Sequence, residues 1–405
     1  MSIIFHIDVN SAFLSWTALE QLKNGADIDI RTIPSIVGGD TEKRHGIVLA
    51  KSIPAKAYGI QTAEPVVNAF RKCPHLTMVP PNHTMYRERS QALMNHLSNI
   101  CPDIEQVSID ECYMDYTPIK DKYTSPEAAA TIIKDSVYEK FGFTVNVGIS
   151  DRKVLAKMAS DFKKPNLVHT LYHREIQTKL WPLPVSSLYM CGHSSVEALH
   201  KLGIVTIGDL AQTDVEILRA HLKSHGTTLW EYANGIDSSV VGVQPVKMKG
   251  IGNSVTLTQD AETKEEAYRA LLSLAESVGS RVRASGELAG MVSTEIKYAT
   301  FQSVSHQTTL DVPSDSTDII YQTACLLFDE LWNGTPIRLL GIRTSKLVSN
   351  TEPTQMSLFD LQTTTPQHEK QNKLNMALDS LRGKYGEDII KRGSLLSSPD
   401  NYKPH

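Results

Sequence analysis

The 405 residues carry 41 Lys and Arg against 45 Asp and Glu, and the net charge of -4 argues against a protein coated in nucleic acid while leaving room for a local basic track. A hydrophobic fraction of 41% with a mean hydropathy of -0.22 excludes bulk disorder, and the length exceeds what one core fills, so about two to four domains are expected. Five scattered cysteines without a C-x-x-C spacing read as reduced thiols rather than zinc ligands, no run approaches the ~20 apolar residues of a membrane span, and the start lacks a signal-peptide pattern, so a cytoplasmic protein is expected.

In chain order, residues 1–10 read as a strand and 12–23 as a helix closed by Asn24-Gly25. Residues 31–75 alternate short strands with Gly and Pro punctuation, the texture of a small insertion. The stretch 85–100 has amphipathic helical spacing, with Met85, Leu93, Leu97 and Ile100 on its buried side. An acidic strand follows at 107–115, then a helix over 126–140 opened by Ser125-Pro126, and a strand over 144–149. That order predicts helices layered on a sheet. Residues 151–164 set Arg152, Lys153, Lys157, Lys163 and Lys164 against Asp151 and Asp161, a pattern shared by solvated helix faces and phosphate sites. From 166 to 235 the pieces are short and helical, with 199–204 and 206–210 flanking a glycine turn. Long strands at 252–258, 290–298 and 337–348 with helices at 265–284 and 318–332 predict a second α/β domain. Beyond Leu347 the chain turns polar, and a last helix is expected over 371–385 with Leu374, Leu378, Leu381 and Tyr385 on one face.

Two apolar stretches end in carboxylates: Ile3-Ile4-Phe5-His6-Ile7-Asp8-Val9-Asn10 and Val107-Ser108-Ile109-Asp110-Glu111-Cys112-Tyr113. As neighbouring strands they would bring Asp8, Asp110 and Glu111 to a common edge, where three carboxylates repel unless hard divalent cations sit between them. Such a donor set belongs to two-metal phosphoryl transfer. Standing alone, Asp8 would read sooner as a helix N-cap or a strand-end carboxylate than as a metal ligand.

These stretches, with Val147-Gly148-Ile149-Ser150, Leu155-Ala156-Lys157-Met158-Ala159-Ser160, Lys164-Pro165-Asn166 and Lys249-Gly250-Ile251-Gly252, resemble in order the segments of the Y-family translesion DNA polymerases of the DinB type. The resemblance runs from residue 5 to about 348 and implies an α/β multidomain right hand. Its parts would be a ferredoxin-like palm (1–30 and 76–165), small fingers (31–75), a helical thumb with a helix-hairpin-helix (166–236), a linker (237–248), an α/β little-finger domain (249–348) and a flexible C-terminal tail (349–405).

The same resemblance gives roles to residues. Asp8, Asp110 and Glu111, with the Val9 backbone carbonyl, would hold two Mg²⁺ ions. Phe13 would be a steric gate that leaves no room for a ribose 2′-hydroxyl. Lys164 would meet the triphosphate of the incoming dNTP as a mobile point charge, with Lys56 and Ser52 beside it. Gly192 in the thumb hairpin, and Lys297, Arg343 and Lys346 on little-finger strands, would contact primer-template DNA. Gln355-Met356-Ser357-Leu358-Phe359 resembles the bacterial sliding-clamp-binding peptide, in which Gln355 fixes register while Leu358 and Phe359 fill an apolar pocket. A monomer adding dNTPs to a primer 3′-OH with low fidelity is expected.

The chain departs from the family pattern in two places. Where many members carry Ser or Thr, Tyr and Arg at i, i+3 and i+6, it has Ala50, Ile53 and Lys56. Met190 stands at the first glycine position of the hairpin Met190-Cys191-Gly192-His193. Gly38-Gly39-Asp40-Thr41-Glu42 imitates the diguanylate cyclase signature but falls in the expected fingers, where it reads as a surface turn. Two rival functions stay open on the sequence: a DNA- and clamp-binding recruitment factor with weakened catalysis, and a palm-type nucleotidyl cyclase that needs no template.

Overall fold

The computed structural model describes residues 2–39, 46–242, 248–351, 366–386, 389–390 and 392–393. The chain divides into two compact units, one of residues 1–39 and 47–245, the other of 40–46 and 246–405.

In the first unit, β1 (Ile4–Val9) passes through Ser11 into α1 (Ala12–Lys23), which stops at Asn24. There follow β2 (Ser35–Gly38), β3 (Val48–Lys51), α2 (Ile53–Ala57), α3 (Val66–Lys72) and β4 (Thr77–Val79), whose strands form a small sheet in the order β3-β2-β4. The two helices are absent from the alternating-strand reading of 31–75 because each is too short to display a 3.6-residue period. Next come α4 (His83–Ile100), β5 (Ile104–Gln106), β6 (Glu111–Asp115), α5 (Pro126–Phe141), β7 (Val145–Ser150), α6 (Lys153–Asp161) and β8 (Val168–Thr170). Their sheet runs β5-β6-β1-β7-β8, with β1 antiparallel to both neighbours. The expected strand over 107–115 starts only at Glu111, because the Val107 and Ser108 N–H groups both donate to the Glu111 carbonyl and fold 107–110 into a turn.

Strand alternation decides what each face of this sheet carries. Phe5, Ile7, Val9, Cys112, Met114, Val145, Val147 and Ile149 share one core with Tyr86, Leu93 and Leu97 of α4 and Ile133 and Val137 of α5. Burying each of these large side chains contributes about 1.5–3 kcal/mol. His6, Asp8, Glu111, Tyr113, Asn146 and Gly148 have the opposite parity and stand on the face covered by α6. A Cβ on Gly148 would lie 1.9 Å from the Ala156 carbonyl oxygen, so the helix rests directly on the strand.

The remainder of the unit is helical. α7 (His193–Lys201), α8 (Ile207–Gln212) and α9 (Val215–Ala233) pack around Leu180, Leu199, Ile207, Leu210 and Leu229. α8 opens on a capping box in which Thr206 and Asp209 satisfy each other's backbone N–H groups.

The second unit contains β9 (Gly250–Ala261), α10 (Lys264–Ala284), β10 (Glu287–Tyr298), β11 (Ser303–Ser314), α11 (Thr317–Leu331) and β12 (Ile337–Ser349). Its sheet is ordered β11-β10-β12-β9 and antiparallel throughout. Leu271, Leu274, Val278, Val292, Ile296, Phe328 and Leu340 form a core between the helices and one sheet face. The edge strand β11 carries almost no apolar signal, since most of its residues are polar and exposed, as suits an unpaired edge.

The last helix, α12 (Pro366–Tyr385), does not dock by the apolar face expected for it. Leu374, Leu381 and Tyr385 are exposed, and Asn375 is buried instead. Asp379 pairs with Arg283 at 2.6 Å and Arg382 with Glu276 at 3.1 Å, while Arg392 reaches Glu276 at 3.0 Å and Asp318 at 2.7 Å.

Candidate active site

Asp8 is the last outward residue of β1 and lies opposite Glu111 in the register of β1 with β6. The Val9 N–H donates to the Asp110 carbonyl at 3.0 Å, so all three acidic residues stand at one end of the sheet. Each carboxylate has a partner. Asp8 Oδ1 lies 2.7 Å from Lys164 Nζ, which also reaches Asp161 at 2.9 Å. Glu111 Oε2 lies 2.5 Å from Lys157 Nζ and 3.3 Å from Nε2 of the fully buried His6. Asp110 Oδ1 accepts from Ser108 Oγ at 2.7 Å.

The electrostatics of these groups differ. Burial pushes the Asp8 carboxyl above its ordinary value, and the attraction of Lys164 does not cancel it. Burial works to lower Lys164, but Asp8 and Asp161 outweigh it and raise the ammonium. Glu111 is held down at about 2, first by the His6 ring beside it, against the opposing effect of burial, with Lys157 adding its bond and charge.

Three carboxylates and the Val9 carbonyl are hard oxygen donors of the kind Mg²⁺ takes, and the partly buried Asp8 is under-compensated by one ammonium. Among the described residues no three His, Cys, Asp or Glu side chains already surround one point. Asp8 and Glu111 face their lysines, and Asp110 faces Ser108. The donor chemistry therefore fits Mg²⁺, with rotation of these side chains needed to gather them.

Two cavities in this unit share Ser11, Lys51 and Lys164. One, of about 260 Å³, is lined by Asp8, Phe13, Ala50, Thr62 and Asp110. The other, of about 330 Å³, is lined by Asn10, Arg31, Ile53, Lys56 and Pro165. Phe13 stacks on Tyr86 with ring centroids 4.5 Å apart, and the Tyr86 hydroxyl is 2.8 Å from Thr17 Oγ1, so the ring is fixed where it borders the first cavity.

Ser52, expected beside the triphosphate, is engaged by backbone groups. Its hydroxyl donates to the Ile33 carbonyl and accepts from the N–H groups of Ser35 and Ala55. It is buried, caps α2 and lines the second cavity. Lys56 is exposed beside the second cavity, Ala50 is buried and Ile53 is 64% exposed. Met190 adopts φ 69, the left-handed region that favours glycine. The Gly192 N–H is turned back onto the Met190 carbonyl at 3.1 Å, so a backbone grip there falls to the first-turn N–H groups of α7, which lack intrahelical acceptors.

In the second unit Lys297 and Arg343 share the sheet face opposite the helices, on β10 and β12. Lys297 sits 5.5 Å over the Phe301 ring, and Lys346 reaches Thr309 Oγ1 at 3.2 Å. Gln355, Leu358 and Phe359 lie outside the described residues, as do Asp40, Thr41 and Glu42 of the cyclase-like string.

His6, Lys157, Lys51 and Arg31 were missed as site residues in the sequence. His6 carried a usable signal: two residues before Asp8 in a strand, it must share that residue's face. Lys51 and Arg31 gave none, since Lys51 bonds the Ile60 carbonyl and Arg31 pairs with Asp29.

Residues 7–161 match the impB/mucB/samB family and residues 248–358 its C-terminal domain. The chain is similar to the DNA polymerase IV of Clostridium acetobutylicum, at 47% identity over 98% of this chain and 99% of that one. This chain belongs to the Y-family DNA polymerases of the DinB type. It is a DNA-directed DNA polymerase of translesion synthesis. DNA polymerase IV 1 of Bacillus subtilis is 35% identical over 98% of this chain and 94% of its own length. A solved Y-family DNA polymerase chimera shares the fold, with a TM-score of 0.72 and 20% identity over 86% of this chain and all of that one. No helix among the described residues is long and apolar enough to cross a membrane.

Proposed function

We propose that Asp8, Asp110 and Glu111, with the Val9 carbonyl, bind two Mg²⁺ ions and so form the catalytic centre of this template-directed polymerase. The observation that carries the reading is the pairing of Asp8 with Glu111 across β1 and β6, together with the Val9 N–H to Asp110 carbonyl bond. When bound, the metals supply Lewis acidity that lowers the pKa of the primer 3′-hydroxyl and offsets charge on the leaving pyrophosphate. Phe13, braced by Tyr86, excludes a 2′-hydroxyl from the sugar pocket. Lys164 and Lys56 hold the triphosphate of the incoming dNTP beside the carboxylates, and Lys157 with His6 orients Glu111.

The palm in this reading is residues 1–30 and 76–165, the fingers 31–75 and the thumb 166–236. A linker at 237–248 leads to the little finger at 249–348 and the tail at 349–405. Gly192 with the start of α7 that it caps, Lys297, Arg343 and Lys346 contact the DNA backbone. Gln355, Leu358 and Phe359 recruit the cytoplasmic, monomeric enzyme to the sliding clamp. Primer extension with and without Mg²⁺ and clamp tests the set. The expected result is strict metal dependence and a clamp stimulation that Phe359→Ala abolishes without slowing clamp-free extension. Metal-independent extension, or stimulation untouched by Phe359→Ala, would overturn the corresponding assignment.

A further inference from the structure

We infer that Asn10 and Asn146 form a buried amide clamp that positions Lys164 for the triphosphate, making both of them positioning residues for nucleotide capture. The inference rests on the triphosphate role proposed for Lys164. Asn10, 7% exposed, directly follows β1, and the fully buried Asn146 lies on the adjacent strand β7. Asn10 Nδ2 donates to Asn146 Oδ1 at 3.1 Å.

From this pair, bonds run to both sides of Lys164. Asn146 Nδ2 donates to the Lys163 carbonyl at 2.7 Å and to the Ser160 carbonyl at 3.0 Å. Asn146 Oδ1 accepts from the Leu167 N–H at 3.2 Å, and Asn10 Oδ1 accepts from the Asn166 N–H at 2.9 Å. Thr144 Oγ1 donates to Asn10 Oδ1 at 2.9 Å and fixes its orientation. Every polar atom of the two amides that carries a donor or an acceptor role here is engaged, so neither amide can flip without breaking several bonds. The loop around Lys164 is thus tied, on both sides of that residue, to the strand pair that carries Asp8.

Such an arrangement does for an ammonium what supporting hydrogen bonds do for a metal ligand: it holds the backbone on both sides of Lys164 while the ammonium, paired with Asp8 and Asp161, exchanges those partners for its ligand. The clamp binds no nucleotide itself. Its substitution should act through Lys164 alone.

The test is a double-mutant cycle read in the KM for dNTP on a fixed primer-template, with the dissociation constant for primer-template as the control. Asn146→Ala is expected to raise that KM roughly five- to tenfold, as loss of a buried polar network does, and to leave DNA affinity unchanged. In a Lys164→Ala background the same substitution should add less than about twofold. Thr144→Val, at the rim of the network, should give a smaller rise with the same non-additivity, and it carries the test if Asn146→Ala does not fold. Additive effects, or an unchanged KM in both clamp variants, would overturn the inference while leaving the Lys164 assignment standing. A Lys164→Ala variant with an unchanged KM would remove that assignment and the inference with it.

Discussion

Gly148→Ala is the sharpest single perturbation of the packing that builds the site. An added methyl would lie 1.9 Å from the Ala156 carbonyl oxygen and 2.5 Å from the Ser160 nitrogen, both backbone atoms of α6. Ordinary contact begins near 3.4 Å, so the helix must retreat by about 1.5 Å or tilt, and no side-chain rotation relieves the clash. Overpacking of this kind costs about 3 kcal/mol, which for a unit of this size lowers Tm by roughly 5–10 °C. Because α6 carries Lys157 and Ser160 and leads into Lys164, its displacement also misplaces the cations that face Glu111 and Asp8. A shift of about 1 Å at reacting groups lowers turnover by as much as about a hundredfold. Thermal unfolding and single-turnover primer extension read the two effects separately. A Gly148→Ala protein with unchanged Tm and full extension would refute the claim that α6 rests on that glycine and holds the site through it.

Phe13→Ala should raise ribonucleotide incorporation sharply relative to deoxynucleotide, measured as the ratio of kcat/KM values for rNTP and dNTP; an unchanged ratio would deny the ring its gating role. For the metal-free protein, Glu111 predicts a pH window. Its folded carboxyl is held at about 2, below the ordinary 4.5, so its stabilisation is complete above that ordinary value and is lost as the pH falls toward 2. Chemical denaturation across this range should show the stability difference between the parent and Glu111→Gln shrinking as the pH drops. In the second unit, Arg283→Ala removes two bonds to Asp379 and those to the Asp315 carbonyl and Thr317. It should destabilise α12 by about 3–5 kcal/mol, as loss of one partner of a largely buried pair does, and hydrogen exchange in α12 should accelerate while that in β10 does not.

Legibility in the sequence followed the physics of each element. The long helices and strands showed their periods plainly, as α10 did over 265–284. The approach of Asp8 to Glu111 followed from acidic residues on two neighbouring strands, although the strands are antiparallel and Glu111 opens β6 where Asp8 nears the end of β1. What stayed hidden was of two kinds. α2, α3 and β11 are too short or too polar to carry a period, so only their neighbours define them. Lys157 and the clamp asparagines act through positions fixed by α6 and by the 163–167 turn, and a linear reading does not give the distance from Lys157 to Glu111 across 46 residues. Ser52 is ambiguous in the sequence for a different reason. A hydroxyl near a ligand-binding motif reads the same whether it caps a helix or meets a ligand, and here three backbone partners take it.

The most direct test of the central claim is single-turnover extension of a short primed template with Mg²⁺ and one correct dNTP, comparing the parent with Asp110→Ala after both are shown to bind primer-template equally. Templated extension by the parent that Asp110→Ala abolishes is the predicted result. Extension that persists in Asp110→Ala would contradict the assignment of the carboxylate end of this sheet as the catalytic centre.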